Sequence, residues 1–547
     1  MKHEWTNAEI APGERTRGLV VGRSGAVAAS QPLAVATGLA TLARGGTFAD
    51  AAIAASAVLC VVEPFNSHLG GDAFLVVFDA SRRQTVAFNG SGAAPASATP
   101  EGFADGIPVR GMRAATVPGL VHTWFALHER FGTLPMSELL SPAIGYAESG
   151  FPVGPRLLRA VRTNAALFAQ RPGLGPGLAL SPDLRLGQIV RQPDLAWTLK
   201  QIGLYGRDAF YAGPVAERIV AHAEKHAGGH FSMADLTRHR TRVEAPLAVP
   251  YRDLVVYGQP PPSQGMILME ELLLASGFDL AAMDPAERAH VLVEAKKLAF
   301  ADRNAFLGDP EAVSVPLGKL LSPAYGDRRR GAIDLAQASA ETPAGDPHAS
   351  GSDTTYFLVA DRAGNAVSFI QSIFHAFGSG EVVEGTGILL NNRMTGFSLD
   401  PASPNVLVPG KRPAHTLNAW LATRASDNSL ALVGGTPGGH VQVQTNLQLL
   451  VNLVDLGMDP QAAIEAPRWQ HITEGGAVAS AAEGSGVLEV ESREDPAVLE
   501  GLRARGHDVR PIGPWAHGSS AQVLQVLPGS VLAVGSDPRC DGHAAAF

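Results

Sequence analysis

The chain is predicted to be an α/β protein, a four-layer α/β/β/α sandwich, and three features of its 547 residues lead there. Residues 31 to 62 carry small apolar side chains at helical spacing around the break Gly45-Gly46, which reads as two packed helices. A strand-rich region begins abruptly at Thr354. Long helical patterns lie on both sides of the strand candidates, and sheets covered by helices give a layered body.

The elements follow in order. After the helix pair, Val62-Glu63-Pro64 leads into the loop Asn66-Ser67-His68-Leu69-Gly70-Gly71-Asp72, and Ala73 to Asp79 and Gln84 to Asn89 read as strands around a Ser-Arg-Arg turn. Residues 114 to 320 are mostly helical pattern punctuated by Pro and Gly, with one strand-like run, Leu254 to Gly258, before Pro260-Pro261-Pro262. Residues 332 to 353 hold Ala, Ser, Thr, Gly, Pro and acid without periodicity, which predicts a flexible, exposed linker. Thr354 to Ala360 and Ala366 to Phe374 then form a hairpin across Asp361-Arg362-Ala363-Gly364-Asn365. Further strands are expected at Ala431 to Gly434, Ala521 to Val526 and Ser530 to Val534, and helices around 442 to 456, 459 to 466 and 495 to 505.

Composition narrows the function. Apolar residues make up 46% and charged residues 17%, with a formal net charge of −9 and no cluster of Lys and Arg interleaved with aromatics, so no nucleic-acid partner is expected. Cys60 and Cys540 are the only cysteines, which gives no disulfide framework and suits a reducing cytoplasm. No HExxH or Cys/His cluster occurs, so no metal is expected. Met1 to Arg17 has no apolar core and the run Ala51 to Val62 is too short to span a bilayer, so neither secretion nor a membrane partner is expected.

The linker ends in Gly351-Ser352-Asp353-Thr354-Thr355 and becomes a strand without a further turn. A linker entering a β-rich region explains this plainly, since threonine suits strands. The chemical alternative is that the Thr354 hydroxyl cuts the Asp353-Thr354 bond by an N-to-O acyl shift. A threonine hydroxyl needs a base, and a free α-amine titrating near ~8 can serve as one. Cutting there makes nucleophile and base together. An oxyanion also needs aimed N–H dipoles, and the glycine turn Gly434-Gly435-Thr436-Pro437-Gly438-Gly439 is a candidate source.

These residues resemble the gamma-glutamyltransferase family. The resemblance rests on Asp50-Ala51-Ala52, Val62-Glu63-Pro64, Leu69-Gly70-Gly71, Val117-Pro118-Gly119, Pro260-Pro261-Pro262-Ser263, Phe306-Leu307-Gly308-Asp309-Pro310, Thr354-Thr355, Gly387-Ile388-Leu389-Leu390-Asn391-Asn392, Gly410-Lys411-Arg412-Pro413, Thr436-Pro437-Gly438-Gly439 and Ser536-Asp537-Pro538-Arg539, in the family's order. It implies an N-terminal-nucleophile hydrolase fold without cofactor, and a precursor cut into a large subunit, 1–353, and a small catalytic subunit, 354–547. It also implies that Thr354 is the nucleophile, that Ser372 is its hydrogen-bonding neighbour, and that Gly438 and Gly439 hold the oxyanion.

Substrate recognition departs from the family. Ser91 stands where the family has its carboxylate-binding arginine, and Phe374, Arg393 and Gly396 stand where it has an asparagine, a glutamine and an aspartate. His415 and Thr416 replace its serine pair. Unpaired glutamyl charges would cost a few kcal/mol each, so γ-glutamyl groups are expected to bind badly, and Arg393 invites an anion instead. Arg393 has a plainer alternative, an internal salt bridge to Glu381 or Glu384. The segment from Phe397 to Pro413 resembles a shortened lid and predicts a more open pocket, lined by Phe374, His375, Arg393, His415 and His440. Within the family the chain resembles the cephalosporin-acylase-like and oxamate amidohydrolase-like members. The substrate is expected to be a small-molecule amide with a compact acidic or aromatic acyl part, and association of the cleaved pair into a homo-oligomer stays open. A γ-glutamyltransferase with unusual glutamate recognition and an uncleaved, silent metabolite-binding protein stay open as alternatives. His68 could face the active site but reads better as a loop histidine satisfied by local hydrogen bonds, and Arg110 and Arg113 could replace the lost clamp but read better as a solvated turn.

Overall fold

The computed structural model describes residues 16–227, 229–339, 354–472 and 486–547. Its centre is a pair of seven-stranded antiparallel sheets. The first has the spatial order His543–Ala546, Gly25–Ala29, Thr355–Asp361, Ala366–Ser372, Asp72–Asp79, Gln84–Asn89, Arg242–Glu244. The second runs Val20–Gly22, Val531–Ser536, Gln522–Leu527, Leu430–Gly435, Ala419–Arg424, Leu254–Gly258, Leu247–Tyr251.

Side-chain alternation assigns the layers. Along Thr355–Asp361, Tyr356, Leu358 and Ala360 enter a core shared with Leu421, Val433 and Leu524 of the second sheet. Phe357 and Val359 point the other way, into a core built with the helices Pro32–Ala43 and Phe48–Val62. The outer face of the second sheet, through Val256, Trp420 and Leu432, meets the helices Gly265–Ala275, Pro285–Phe306 and Val441–Val454. The result is the α/β/β/α order of an N-terminal-nucleophile hydrolase. Helix Phe48–Val62 is buried along its whole length, and a capping box of Thr47 and Asp50 starts it.

Each sheet contains strands from both sides of residue 354, so the two segments share one interwoven body. Several strands depart from the sequence reading. Gly25–Ala29 and His543–Ala546 are alanine-rich and carry little strand preference of their own; pairing with their neighbours fixes them. Leu247–Tyr251 contains Pro250, which an edge strand tolerates, and it is an edge. Ala419–Arg424 and a separate small sheet of Trp469–Ile472, Val487–Glu491 and Asp508–Ile512 were likewise not expected.

The first part of the expected linker is docked. Ala338 N donates to Arg505 O at 2.7 Å, Ser339 N to Glu294 Oε2 at 3.2 Å, and Lys297 Nζ to Ser339 O at 3.0 Å. Residues 340–353 of that linker lie outside the described residues. Among the described residues no helix is long and apolar enough to cross a membrane.

Burial keeps five histidines neutral, pushing His122 and His415 down to about 4 and His68, His507 and His517 down to about 3. Their unfolded value is roughly 6.5, so as pH falls the unfolded chain takes up these protons first. Their stabilisation is complete above that value and is lost toward pH 4 and below, each site contributing up to about 1.4 kcal/mol per pH unit. Urea midpoints are therefore expected to fall steadily between about pH 6.5 and 4. Constant midpoints across that window would contradict it.

Candidate active site

Thr354 immediately precedes the third strand of the first sheet, which is paired on both sides. The hairpin register pairs Thr355 with Gln371, so the next step along sets Thr354 opposite Ser372. There the buried Thr354 Oγ1 donates to Ser372 Oγ at 3.2 Å. Ser372 Oγ also accepts the N–H of Phe374 at 2.8 Å, which fixes its orientation. The strand's start is anchored by the buried Glu63, whose Oε2 accepts from the hydroxyls of Thr355 and Ser30, each at 2.7 Å. Asp353, expected on the other side of the cut, lies outside the described residues.

The glycine turn leaves the second sheet at the same end. Gly435 closes the strand Leu430–Gly435 and lies against the Tyr356 ring, where a Cβ would come within 2.4 Å of it, so only glycine fits. Gly438 and Gly439 have φ of +127° and +57°, a region glycine reaches without strain, and they lead into the helix Val441–Val454. Gln264 Nε2 ties this turn to the neighbouring loop by donating to Gly439 O at 2.9 Å and Thr416 O at 2.8 Å.

The remaining expected residues gather around a carboxylate that the sequence reading left in its glycine loop, Asp72. It is fully buried and accepts from Gly92 N at 3.0 Å, Arg393 Nε at 3.1 Å and His415 Nε2 at 3.2 Å. The salt bridge of Arg393 is thus to Asp72. Glu381 pairs instead with Arg171 and His222, and Glu384 with Lys225 and His226. Burial lowers the Arg393 pKa to about 10 with Asp72 opposing, so the guanidinium remains charged at neutral pH. Its Nη2 has no protein partner. An ionised carboxylate only accepts, so His415 carries its proton on Nε2 and keeps a buried, unpartnered lone pair on Nδ1. The hydroxyls of Thr416 and Ser91 are also buried without partners.

Asn391 and Asn392 hold this loop in place. Asn391 Oδ1 accepts from Thr116 N at 3.0 Å and Arg393 N at 2.9 Å, and Asn392 Oδ1 accepts from His375 N at 3.0 Å. Phe374 sits at φ +80°, an outlier for a bulky residue, with the Arg393 guanidinium 4.5 Å from its ring centroid and His375 stacked at 4.4 Å. Of the two arginines read as solvated, Arg113 is exposed and lies over the Phe103 ring, whereas Arg110 is half-buried and its Nη1 donates to Ala376 O at 2.8 Å. His68 is buried and accepts from Leu389 N at 3.1 Å.

A cavity of about 110 Å³ lies beside this network, lined by Phe374, His415, Thr416, His440 and two residues the sequence reading missed, Gln264 and Arg303. Arg303 Nη1 donates to His440 Nδ1 at 2.8 Å, so that imidazole is neutral, in keeping with a pKa that burial holds well below the usual range. Arg393 stands behind Phe374, and neither Arg393, Ser91 nor His375 lines this cavity. The segment read as a shortened lid supplies one wall, through Phe397, Ser403, Pro404 and Asn405.

A threonine at the head of a central strand, in two antiparallel sheets between helical layers and beside a glycine turn, defines an amide hydrolase or acyltransferase of the N-terminal-nucleophile class. The family model for gamma-glutamyltranspeptidase matches residues 34–547. The chain belongs to that family. A glutathione hydrolase-like proenzyme of Bacillus subtilis, YwrD, is 36% identical over 536 residues, covering 96% of this chain and 99% of its own. The oxamate amidohydrolase proenzyme of Klebsiella pneumoniae is 36% identical over 538 residues, with 96% and 99% covered. A solved cephalosporin acylase from Bacillus halodurans superposes with a TM-score of 0.89 at 35% identity, covering 99% of both chains.

Removing one member of a buried ion pair strands the other, at a cost of about 3–5 kcal/mol. Asp72→Asn is therefore expected to lower the unfolding free energy by that amount, read from denaturant titration. Asp72→Asn combined with Arg393→Met is expected to recover much of it, because no charge is left behind. A double variant as unstable as the sum of the two single variants would show that the pair is not coupled.

Proposed function

We propose that the chain is a precursor that cuts itself between Asp353 and Thr354, into subunits 1–353 and 354–547, and then hydrolyses amides through an ester on Thr354. The observation that carries this reading is the bond from the Thr354 hydroxyl to Ser372, with the nucleophile anchored at the head of a doubly paired strand. In maturation the Thr354 hydroxyl attacks the Asp353 carbonyl, the C–N bond breaks, and water splits the ester to leave a carboxylate at Asp353 and a free amine on Thr354. In turnover that amine takes the hydroxyl proton as the oxygen attacks the substrate carbonyl. The backbone N–H groups of Gly438 and Gly439 hold the oxyanion, the proton passes to the leaving amine, and water releases the acid.

The acyl group is a compact anion, an oxamate-like or short dicarboxylic monoamide. Arg393 Nη2 lacks an acceptor and meets the anion once the Phe374 ring that separates it from the cavity turns aside, while the Thr416 hydroxyl and His415 Nδ1 belong to residues that already line that small cavity. Asp72 offsets part of the Arg393 charge, which favours one carboxylate over a dianion. A γ-glutamyl ammonium is poorly served, since Asp72 already accepts three hydrogen bonds. Similarity to an oxamate amidohydrolase proenzyme supports the same substrate class.

Thr354→Ala is expected to run as one uncleaved polypeptide on denaturing gels and to show no amidase activity. Cleavage of that variant at Asp353 would refute the mechanism. Arg393→Lys keeps a cation near Asp72 but loses the guanidinium fork. Loss of one hydrogen bond from a charged donor, about 1.5–3 kcal/mol, predicts a roughly 10- to 100-fold fall in kcat/KM on oxamate. A γ-glutamyl anilide is expected to be a poor substrate of both enzymes. Faster release of p-nitroaniline from it than of ammonia from oxamate would favour the transferase reading.

A further inference from the structure

We propose a transition-metal site outside the active site, formed by His222, His226 and Glu384, which would clip the segment before residue 354 to the segment after it. His222 and His226 stand four residues apart on the helix Pro214–Ala227, on one face, with ring centroids 4.3 Å apart. Glu384 follows the short strand Val382–Val383. One ligand atom from each of the three lies within 4.8 Å of the others.

The contacts of His222 suit a metal ligand, with an ion replacing one backbone hydrogen bond at Nδ1. Glu384 N donates to its Nδ1 at 3.4 Å, so Nδ1 carries the lone pair, and Nε2 hydrogen-bonds Glu381 Oε1 at 3.1 Å. A ligating imidazole commonly donates its other N–H to such a carboxylate. Glu381 is itself held by Arg171. Imidazole with carboxylate suits zinc and its neighbours, at bond lengths of roughly 2.0–2.2 Å, which small rotamer changes in these side chains provide. The site faces a cavity of about 480 Å³, which leaves room for an ion to enter and for water as a fourth ligand.

The competing cation is Lys225, whose Nζ donates to Glu384 Oε1 at 2.7 Å and Oε2 at 2.9 Å. Both of those side chains are 60% exposed, so the ammonium withdraws into solvent at little cost. The buried group His290, Glu294 and His507 shows the contrast. There Lys297 holds Glu294 at 2.7 Å with its side chain only 8% exposed, and its charge has nowhere to go.

The test uses the full-length matured protein, stripped with a chelator and titrated with zinc sulfate by calorimetry. The wild type is expected to bind one zinc per chain and to gain thermal stability. His226→Ala and Glu384→Gln are expected to weaken binding by more than tenfold, and Glu381→Gln, an outer partner, by roughly 10- to 100-fold. Cobalt substitution gives a second readout, a visible absorption band that the His226→Ala variant lacks. His226 is exposed, and an unchanged melting temperature without zinc will show that its variant folds. A wild type that takes up no zinc, or a His226→Ala/Glu384→Gln protein that binds it as tightly, overturns the proposal.

Discussion

Everything at the site depends on how the strand Thr355–Asp361 is held. A residue that must act at a chain end needs its position fixed from one side only. The strand meets that requirement by pairing with Gly25–Ala29 on one edge and Ala366–Ser372 on the other. Glu63 adds a buried carboxylate that gathers the hydroxyls of Thr355 and Ser30. At an edge, the first residue after a cut would fray; in the middle of a sheet it stays in register. That register, and no loop, brings Thr354 to Ser372.

Asp72 plays the matching part for recognition. A guanidinium and an imidazole buried side by side would repel once both were charged. A carboxylate between them favours the charged form of each: it offsets the burial that lowers the Arg393 pKa and keeps that side chain a cation, while at His415 burial and the Arg393 charge outweigh it and hold the imidazole neutral. Gly71 lets the loop bearing Asp72 approach Ser372, since a Cβ there would come within 2.3 Å of the Ser372 carbonyl oxygen. Arg393 and Ser372 are therefore positioned by adjacent residues, Asp72 and Gly71.

Much of this was legible in the sequence, and what was not has physical causes. The paired helices, the hairpin and the glycine turn announced themselves through periodicity and turn chemistry. Alanine-rich strands such as Gly25–Ala29 did not, because their neighbours impose their conformation. Thr354, Ser372, Gly438 and Gly439 were found as motif positions. The partner of Arg393 was missed because proximity in sequence suggested Glu381 or Glu384, whereas the fold supplies a carboxylate 321 residues away. The usable signal was that an arginine beside two asparagines needed an acid, and Asp72 stood in a loop already singled out for its glycines. Gln264 and Arg303 gave no such signal, since each acts by bridging loops that only the fold brings together.

The neutral histidines carry the argument one step further. Burial holds both His415 and His440 uncharged, and their contacts differ, one donating to Asp72 and the other accepting from Arg303. Each is thereby locked in one tautomer, so the cavity presents fixed hydrogen-bonding atoms and no titrating imidazole near neutral pH. Neither histidine is then a competing base for the Thr354 proton. In the proposed mechanism the α-amine that the cut would free is then the base for that proton. The fixed tautomers of His415 and His440 thus leave proton transfer, in the proposed reaction, to the amine of Thr354 and not to the walls of the cavity.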